Sequence, residues 1–182
     1  MKRFIYISII MLLLSNILIA QSNYFEGYDG LAWGSSIQEL KEKYQDVIEI
    51  TEEEEKANKQ RNFEYNAGKF SRMFHFFDNE LYLGRTYYAD VNNDFTYTLV
   101  EKVVEEYGFI TDKGEVKKPG FNSYWFKIAV TEEFSVVIEL NELVDNYGRI
   151  TSNGIIVNFL DVERHLRMQE YIRNIMKKDI EL

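Results

Sequence analysis

The first regular pattern in the chain is a capped, amphipathic segment within residues 31–44, LAWGSSIQELKEKY. Ser36, or Ser35 beside it, can accept hydrogen bonds from the free amides of a first helical turn, and Glu39 completes a Ser-x-x-Glu capping box. Behind the cap, apolar residues recur at helical spacing: Ile37, Leu40, Tyr44 and Val47. The pattern predicts a helix that begins after Ser36, with Trp33 as a core residue beneath it.

Aromatic residues dominate the next segment and predict strands. Residues 63–77, FEYNAGKFSRMFHFF, and residues 81–89, LYLGRTYYA, are separated by a polar joint at 78–80. Aromatic enrichment favours strands, and the short joint favours a hairpin. The four glutamates at 52–55 predict a solvated loop or the frayed start of a helix.

A second helix and a second group of strands follow. Asn93 or Asp94 is positioned to cap the helix and Gly108 to end it. Its apolar stripe is Leu99, Val100, Val103, Val104 and Tyr107. After a loop that contains Pro119, strand-like runs occupy residues 124–130, 134–140 and 154–162, and Gly148 and the sequence SNG at 152–154 are turn signals. A closing helix is predicted over residues 162–178, capped by Asp161.

Helix followed by strands therefore occurs twice, with helix starts about sixty residues apart. We expect the α+β class, an antiparallel sheet with helices on one face, because a parallel sheet would need a helix between successive strands. We expect one domain over residues 21–182, with repeat halves at 30–90 and 91–161 and a closing helix at 162–178. Whether the halves arose by duplication stays open.

The first twenty residues predict export. Lys2 and Arg3 precede an apolar run over residues 4–20 that is interrupted at Ser15 and Asn16. A basic start, an apolar centre and a small residue at the boundary are typical of a secretory signal peptide. Cleavage after Ala20, or alternatively after Ser22, would release a periplasmic or secreted protein. The alternative is an uncleaved anchor, because the run reaches the lower end of the about 17–25 residues that span a bilayer.

Composition indicates what stabilises the fold and which classes of partner are disfavoured. The chain has no cysteine, which excludes disulfides and a lipid-modified cysteine, so the exported domain must be stabilised by its core, to which 13 Tyr and 13 Phe contribute. The net charge is −9, and loss of Lys2 and Arg3 with the signal peptide lowers it by two, to −11. An acidic surface disfavours nucleic acid and anionic membranes as partners. No later segment is long and apolar enough to span a membrane.

Residue types also limit the chemistry. Thiolate nucleophiles and thiolate zinc sites are excluded, and the two histidines, His75 and His165, are expected to be structural. No phosphate loop and no Gly-x-Ser-x-Gly motif occurs. Residues 90–101 space oxygen ligands as a calcium loop does, but Phe95 stands where that loop needs glycine. We therefore predict no catalytic residue, no cofactor and no metal site.

The segment LAWGSSIQELKEKY followed by an aromatic hairpin resembles small modules of the bacterial envelope. These are the lipoprotein subunit of the β-barrel assembly machinery and the tandem-repeat β-lactamase inhibitor proteins, in which a helical segment precedes an antiparallel sheet. The resemblance covers residues 30–88 and, in weaker form, 94–160. The chain departs from these families because it lacks the anchoring cysteine and the disulfides. The resemblance implies binding of other envelope proteins by the sheet face.

Two classes of function follow. The first is an exported, non-catalytic protein that binds an envelope or secreted protein or peptide, with Trp125, Tyr82 and Tyr88 as binding residues, because Trp and Tyr are favoured in interfaces. The second is a hydrolase of the envelope or secreted space that uses paired carboxylates. The candidate pairs are Glu132 with Glu133 and Asp145 with Glu142. The identity of the partner and the oligomeric state stay open.

Overall fold

The structure is a computed structural model that describes residues 26–128 and 131–180. The predicted signal peptide and its cleavage boundary lie outside the described residues. Among the described helices, none is long and apolar enough to cross a membrane.

The described residues form ten strands and four helices. In chain order these are β1 (Gly27–Tyr28), β2 (Leu31–Ala32), α1 (Ile37–Lys43), β3 (Ile48–Glu49), α2 (Glu53–Ala57), β4 (Gln60–Asn66), β5 (Phe70–Phe77), β6 (Glu80–Ala89), α3 (Asn93–Tyr107), β7 (Ile110–Lys118), β8 (Phe121–Ile128), β9 (Phe134–Val144), β10 (Ile150–Asp161) and α4 (Val162–Ile180). β1 and β2 form a small hairpin, and the other eight strands form one sheet of order β3-β4-β5-β6-β10-β9-β8-β7. All neighbours are antiparallel, which confirms the α+β class.

The sheet consists of two meanders that meet at its centre. β3 to β6 lie side by side in chain order, as do β7 to β10, and the two sets join through β6 and β10. The β6–β10 ladder runs from Ala89 opposite Gly154 to Leu83 opposite Leu160. α1 precedes the first meander and α3 precedes the second, so the order of elements in one half recurs in the other.

The capping box places the start of α1 as predicted. The Glu39 N–H donates to the Ser36 hydroxyl at 3.3 Å, and the Ser36 N–H donates to Glu39 Oε2 at 2.7 Å. The helix ends at Lys43, yet Tyr44 and Val47 pack on the same core as the helix. The apolar stripe therefore marks a buried surface that is longer than the helix itself.

A turn divides the aromatic segment at residues 63–77, where the sequence predicts one arm of a hairpin. Asn66 Oδ1 accepts from the Gly68 N–H at 2.8 Å, and Gly68 has a φ of 85°, a left-handed conformation that favours glycine. The predicted joint between β5 and β6 is confirmed, since Asp78 and Asn79 both have positive φ and form the tight turn of that hairpin.

β7 is a strand where the sequence predicts a loop. It is an edge strand, and every residue in it except Gly114 is exposed. Charged residues on an exposed edge protect it from pairing with other chains. Because the strand buries almost nothing, its sequence carries no alternation of apolar residues that could predict it.

Residues 152–154, predicted as a turn, lie inside β10. The turn between β9 and β10 is instead at Gly148, as predicted, where Asp145 Oδ1 accepts from the N–H groups of Tyr147 and Arg149 at 2.8 and 2.9 Å. The glycine of the SNG sequence thus serves close packing within the sheet and not a change of direction.

One face of the sheet is covered by α1, α3 and the β1–β2 hairpin. Two buried clusters lie there: Tyr28, Leu31, Leu40, Phe63, Phe74, Phe76 and Leu81 under the hairpin and α1, and Val91, Val103, Ile128, Phe134, Val136, Ile138, Ile155 and Val157 under α3. Trp33 and Phe159 pack against both clusters, so the two form one continuous core. The predicted core position of Trp33 and the predicted stripe of α3 are confirmed. The predicted cap of α3, Asn93 or Asp94, is wrong, because Asn92 is the residue whose side chain accepts from the Phe95 N–H.

Tyr28 fills a notch at Gly84, in the central strand β6. A Cβ atom at Gly84 would lie 2.0 Å from Cγ of Tyr28. The Tyr28 hydroxyl donates to the Arg85 carbonyl oxygen at 2.7 Å, and burial raises its pKa. The ring centroid lies 5.4 Å from those of Phe74 on β5 and Phe159 on β10. One side chain therefore contacts three adjacent strands at the junction of the meanders.

α4 packs on the opposite face. Phe159 points into the core beneath α1 and α3. Because side chains alternate along a strand, the next residue, Leu160, points to the other side of the sheet, where it packs with Met168 and Ile172. As predicted, Asp161 caps the helix, since its Oδ1 accepts from the Arg164 N–H at 2.8 Å. The prediction that helices gather on one face thus describes α1 and α3, and α4 adds a second layer.

Buried histidine and arginine side chains lie between α4 and the sheet. His75 Nδ1 donates to Asn62 Oδ1 at 2.8 Å, whereas His75 Nε2, Arg85 Nε and His165 Nδ1 have no hydrogen-bond partner in the described part of the chain. Burial, together with the nearby charge of Arg85, lowers the pKa of His75 to about 3 and also lowers the pKa of His165. Both histidines are therefore neutral at neutral pH, in agreement with a structural role.

We expect Gly84→Ala to lower the free energy of unfolding by roughly 3 kcal/mol, because the added methyl group collides with the Tyr28 ring in a packed interior. Chemical denaturation measures the change. In a Tyr28→Ala background the same substitution should cost less than about 1 kcal/mol, because the colliding ring is gone. An equal cost in both backgrounds would show that Tyr28 is not the reason for the glycine.

We expect stability to fall by about 2 kcal/mol between pH 8 and pH 5, because His75 takes up a proton in the unfolded chain, where its pKa is about 6.5, but not in the folded protein until about pH 3. Carboxyl groups titrate mostly below this window. Denaturant titrations at each pH measure the effect, and His75→Gln should flatten the pH dependence. An unchanged slope in that variant would exclude His75 as its origin.

Candidate binding surface

α4 covers only one end of the second face of the sheet. Its ring, hydrogen-bond and apolar contacts are with Gln60, Phe77, Glu80, Tyr82, Leu83 and Leu160. Towards the other end, Tyr87, Ile156, Glu139 and Trp125 stand opposite one another on four adjacent strands and so point to the same side. We call this surface the open face, and its apolar members include Tyr87, Val116, Phe121, Trp125, Leu143 and Ile156.

The open face exposes large apolar side chains. Leu143 is 53% exposed, Val116 is exposed, and Tyr87, Trp125 and Ile156 are half-buried. Contiguous apolar surface on a folded domain typically marks an interaction site. We therefore take the open face as the candidate binding surface.

Two glycines hold the aromatic rings of the open face flat. A Cβ atom at Gly114 would lie 2.4 Å from Cζ2 of Trp125, and a Cβ atom at Gly154 would lie 2.6 Å from Cε2 of Tyr87. Each ring therefore lies across the neighbouring strand, in the space that a missing side chain leaves. The Lys127 ammonium lies 5.1 Å from the centroid of the Trp125 ring and adds a cation–π contact. The shape of the open face is therefore fixed before a partner binds.

Polar groups on the open face are also oriented by the sheet. The Asn158 side-chain amide donates to Glu139 Oε1 at 2.9 Å, which fixes a carboxylate among the apolar residues. Lys127 forms an ion pair with Asp112 at 3.6 Å on the edge strand. Within the hairpin of β7 and β8, four lysines outnumber two acidic residues, although the whole chain is acidic.

A cavity of about 630 Å³ lies on the other face, where β6 leads into α3. Alternation along β6 sends Tyr88 to this side and Tyr87 to the open face. The Tyr88 ring centroid lies 5.7 Å from that of Phe70 and 5.2 Å from that of Phe95, so three rings line the cavity in sequence. Its volume is within the range of small-molecule sites.

The three binding residues predicted from the sequence lie in three different places. Trp125 is on the open face and Tyr88 lines the cavity. Tyr82 is only 6% exposed beneath α4, where it stacks on His165 and burial raises its pKa to about 12. Tyr87 and Phe95, which also belong to these surfaces, were not predicted from the sequence as binding residues. Phe95 lies four residues before Leu99, so it continues the apolar stripe of α3 towards the start of the helix.

The predicted carboxylate pairs lie in turns and on the outer part of β9. Glu132 and Glu133 are exposed. Hydrogen bonds from the backbone and side chain of Arg149 lower the pKa of Asp145. A general acid of a hydrolase needs a raised pKa, so this environment does not favour acid catalysis. Among the described residues, no group of three or more metal-binding side chains is gathered in one place.

Comparison of the chain with protein-family models, with curated proteins and with solved structures found no match.

Proposed function

We propose that the protein is an exported, non-catalytic binding protein that holds a protein or peptide partner on the open face. The observation that carries this proposal is the set of apolar side chains, centred on Trp125 and Tyr87, that α4 leaves uncovered. Rings held over Gly114 and Gly154 lose little freedom on binding, so more of the contact energy is retained. The resemblance to envelope modules that bind through a sheet face points to the same use.

Charge supports a partner whose contact surface is acidic at one end. The β7–β8 hairpin at the edge of the sheet carries four lysines. Lys118 and Lys127 are on the side of the open face, where Lys127 pairs with Asp112, and Lys113 and Lys117 alternate to the other side. A basic region on an otherwise acidic protein steers an acidic partner to that end, and complementary charges around an apolar centre favour specificity more than affinity.

The alternative, a carboxylate-dependent hydrolase, has weaker support. Glu132 and Glu133 are exposed, Glu142 lies on β9, and Asp145 is stabilised in its ionised form. Paired catalytic carboxylates need one member with a raised pKa in a cleft. A binding function requires only an exposed apolar surface, which the open face provides.

We expect Trp125→Ala and Tyr87→Ala to weaken partner binding about thirtyfold or more each, because truncation of an aromatic side chain at the centre of an interface costs about 2 kcal/mol or more. The mature chain, residues 21–182, is used to capture proteins from an extract of the source cell envelope, and the retained protein is then titrated by calorimetry. Tyr147→Ala is the matched control, because Tyr147 is an aromatic residue that is 85% exposed in the β9–β10 turn and is not one of the residues that form the open face.

Retention by wild type and the Tyr147→Ala variant, with loss in both open-face variants, is the expected result. A partner that binds all four proteins equally would place the interface elsewhere. Far-ultraviolet circular dichroism of each variant establishes that lost binding does not reflect lost structure.

A further inference from the structure

The cavity beside Tyr88 has the shape and lining of a second binding site. It is formed where the turn at Gly68 and Lys69 approaches the start of α3, and its volume is about 630 Å³. It lies on the opposite side of the sheet from the open face. Whatever occupies it therefore does not compete for Trp125.

Phe95 exposes an aromatic ring at the entrance. The Phe95 N–H donates to the Asn92 side chain at 2.8 Å, so the cap fixes the residue at the first turn of α3, and the ring remains 40% exposed. Its centroid lies 5.2 Å from that of the Tyr88 ring, at a tilt of 56°. A further ring can pack against this pair with the edge-to-face geometry that aromatic groups prefer, at about 4.5–7 Å between centroids.

The polar groups of the rim have opposite charges. Lys69 and Asp90 both line the cavity, and neither side chain forms an ion pair or a hydrogen bond in the described part of the chain. An ammonium and a carboxylate on one ligand could pair with Asp90 and Lys69 respectively. A simple cation fits less well, because the Arg72 guanidinium already lies 4.9 Å from the centroid of Phe70.

The rim is held in place by the neighbouring strand. The Asp90 N–H donates to the Asn153 carbonyl oxygen at 2.9 Å, and the Asn153 side-chain amide donates to the Val91 carbonyl oxygen at 2.7 Å. Asp90 adopts a φ of 49°, which aspartate tolerates better than most residues. The Asp90 carboxylate therefore projects from a turn that hydrogen bonds to β10 hold in place.

We propose that this cavity binds an aromatic group that carries both an ammonium and a carboxylate, as a free aromatic amino acid does. The ring packs on Tyr88 and Phe95, the ammonium pairs with Asp90, and the carboxylate pairs with Lys69. A terminal aromatic residue of a peptide offers the same ring with one of the two charges. The proposal does not depend on a partner at the open face.

Calorimetric titration with L-tryptophan tests the site. We expect binding to the wild type with a dissociation constant at or below about 1 mM, and a loss of about tenfold or more in Phe95→Ala. Tyr97→Ala is the matched control, because Tyr97 is exposed on the same helix and does not line the cavity. Phe95→Leu keeps the apolar volume without the ring, so a several-fold loss there would assign the effect to the ring even if Phe95→Ala failed to fold.

The role of each charge is tested by pairing variants with altered ligands. Asp90→Asn should weaken L-tryptophan but not N-acetyl-L-tryptophan, which has no ammonium, and Lys69→Met should weaken L-tryptophan but not its methyl ester, which has no carboxylate. A peptide with an amino-terminal tryptophan keeps the ammonium but not the carboxylate, so we expect it to bind more weakly than the free amino acid. Equal or tighter binding of that peptide would contradict the pairing of the ligand carboxylate with Lys69. No binding of L-tryptophan, or equal binding by wild type and Phe95→Ala, would overturn the proposal.

Discussion

The pairing of β6 with β10 is the constraint on which the rest of the structure depends. Each meander alone would leave one long edge and one apolar face exposed, and the central ladder joins them into a single sheet. Because side chains alternate along both strands, the ladder also assigns residues to two faces, such as Tyr88 and Tyr87. The Tyr28 ring packs against this junction on one side of the sheet, in the space that the missing side chain of Gly84 leaves. A chain without disulfides is thus stabilised where its halves meet.

The same junction explains why one surface stays open. α4 begins directly at the end of β10, and the Val162 N–H donates to the Glu133 carbonyl oxygen at 2.9 Å. Its first turns are tied to the start of β6 by Arg164 and Arg167, which both donate to Glu80. A helix anchored in this way covers the end of the face near its own origin. The far end, around Trp125, is left with its apolar residues uncovered.

Sequence reasoning succeeded where a signal was local. The capping box at Ser36 placed α1, Asp161 marked the start of α4, and apolar spacing marked the buried side of α3. It was wrong at β7, which is a strand because β8 pairs with it and not because of its own residues. The SNG sequence that ends at Gly154 was also misassigned, because a glycine can serve a turn or a close approach, and only the neighbouring ring of Tyr87 distinguishes the two.

The sequence by itself determined the class of fold, the caps of α1 and α4, the dependence on a packed core and the acidic balance of charge, because each of these is a property of composition or of neighbours in the chain. Only the tertiary structure decided which aromatic residues lie at the surface. Trp125 is on the open face, Tyr82 is buried under α4 and Tyr88 lines a cavity, although similar patterns surround all three in the sequence. The register of strands distant in the chain, and the path of one helix across them, set that difference.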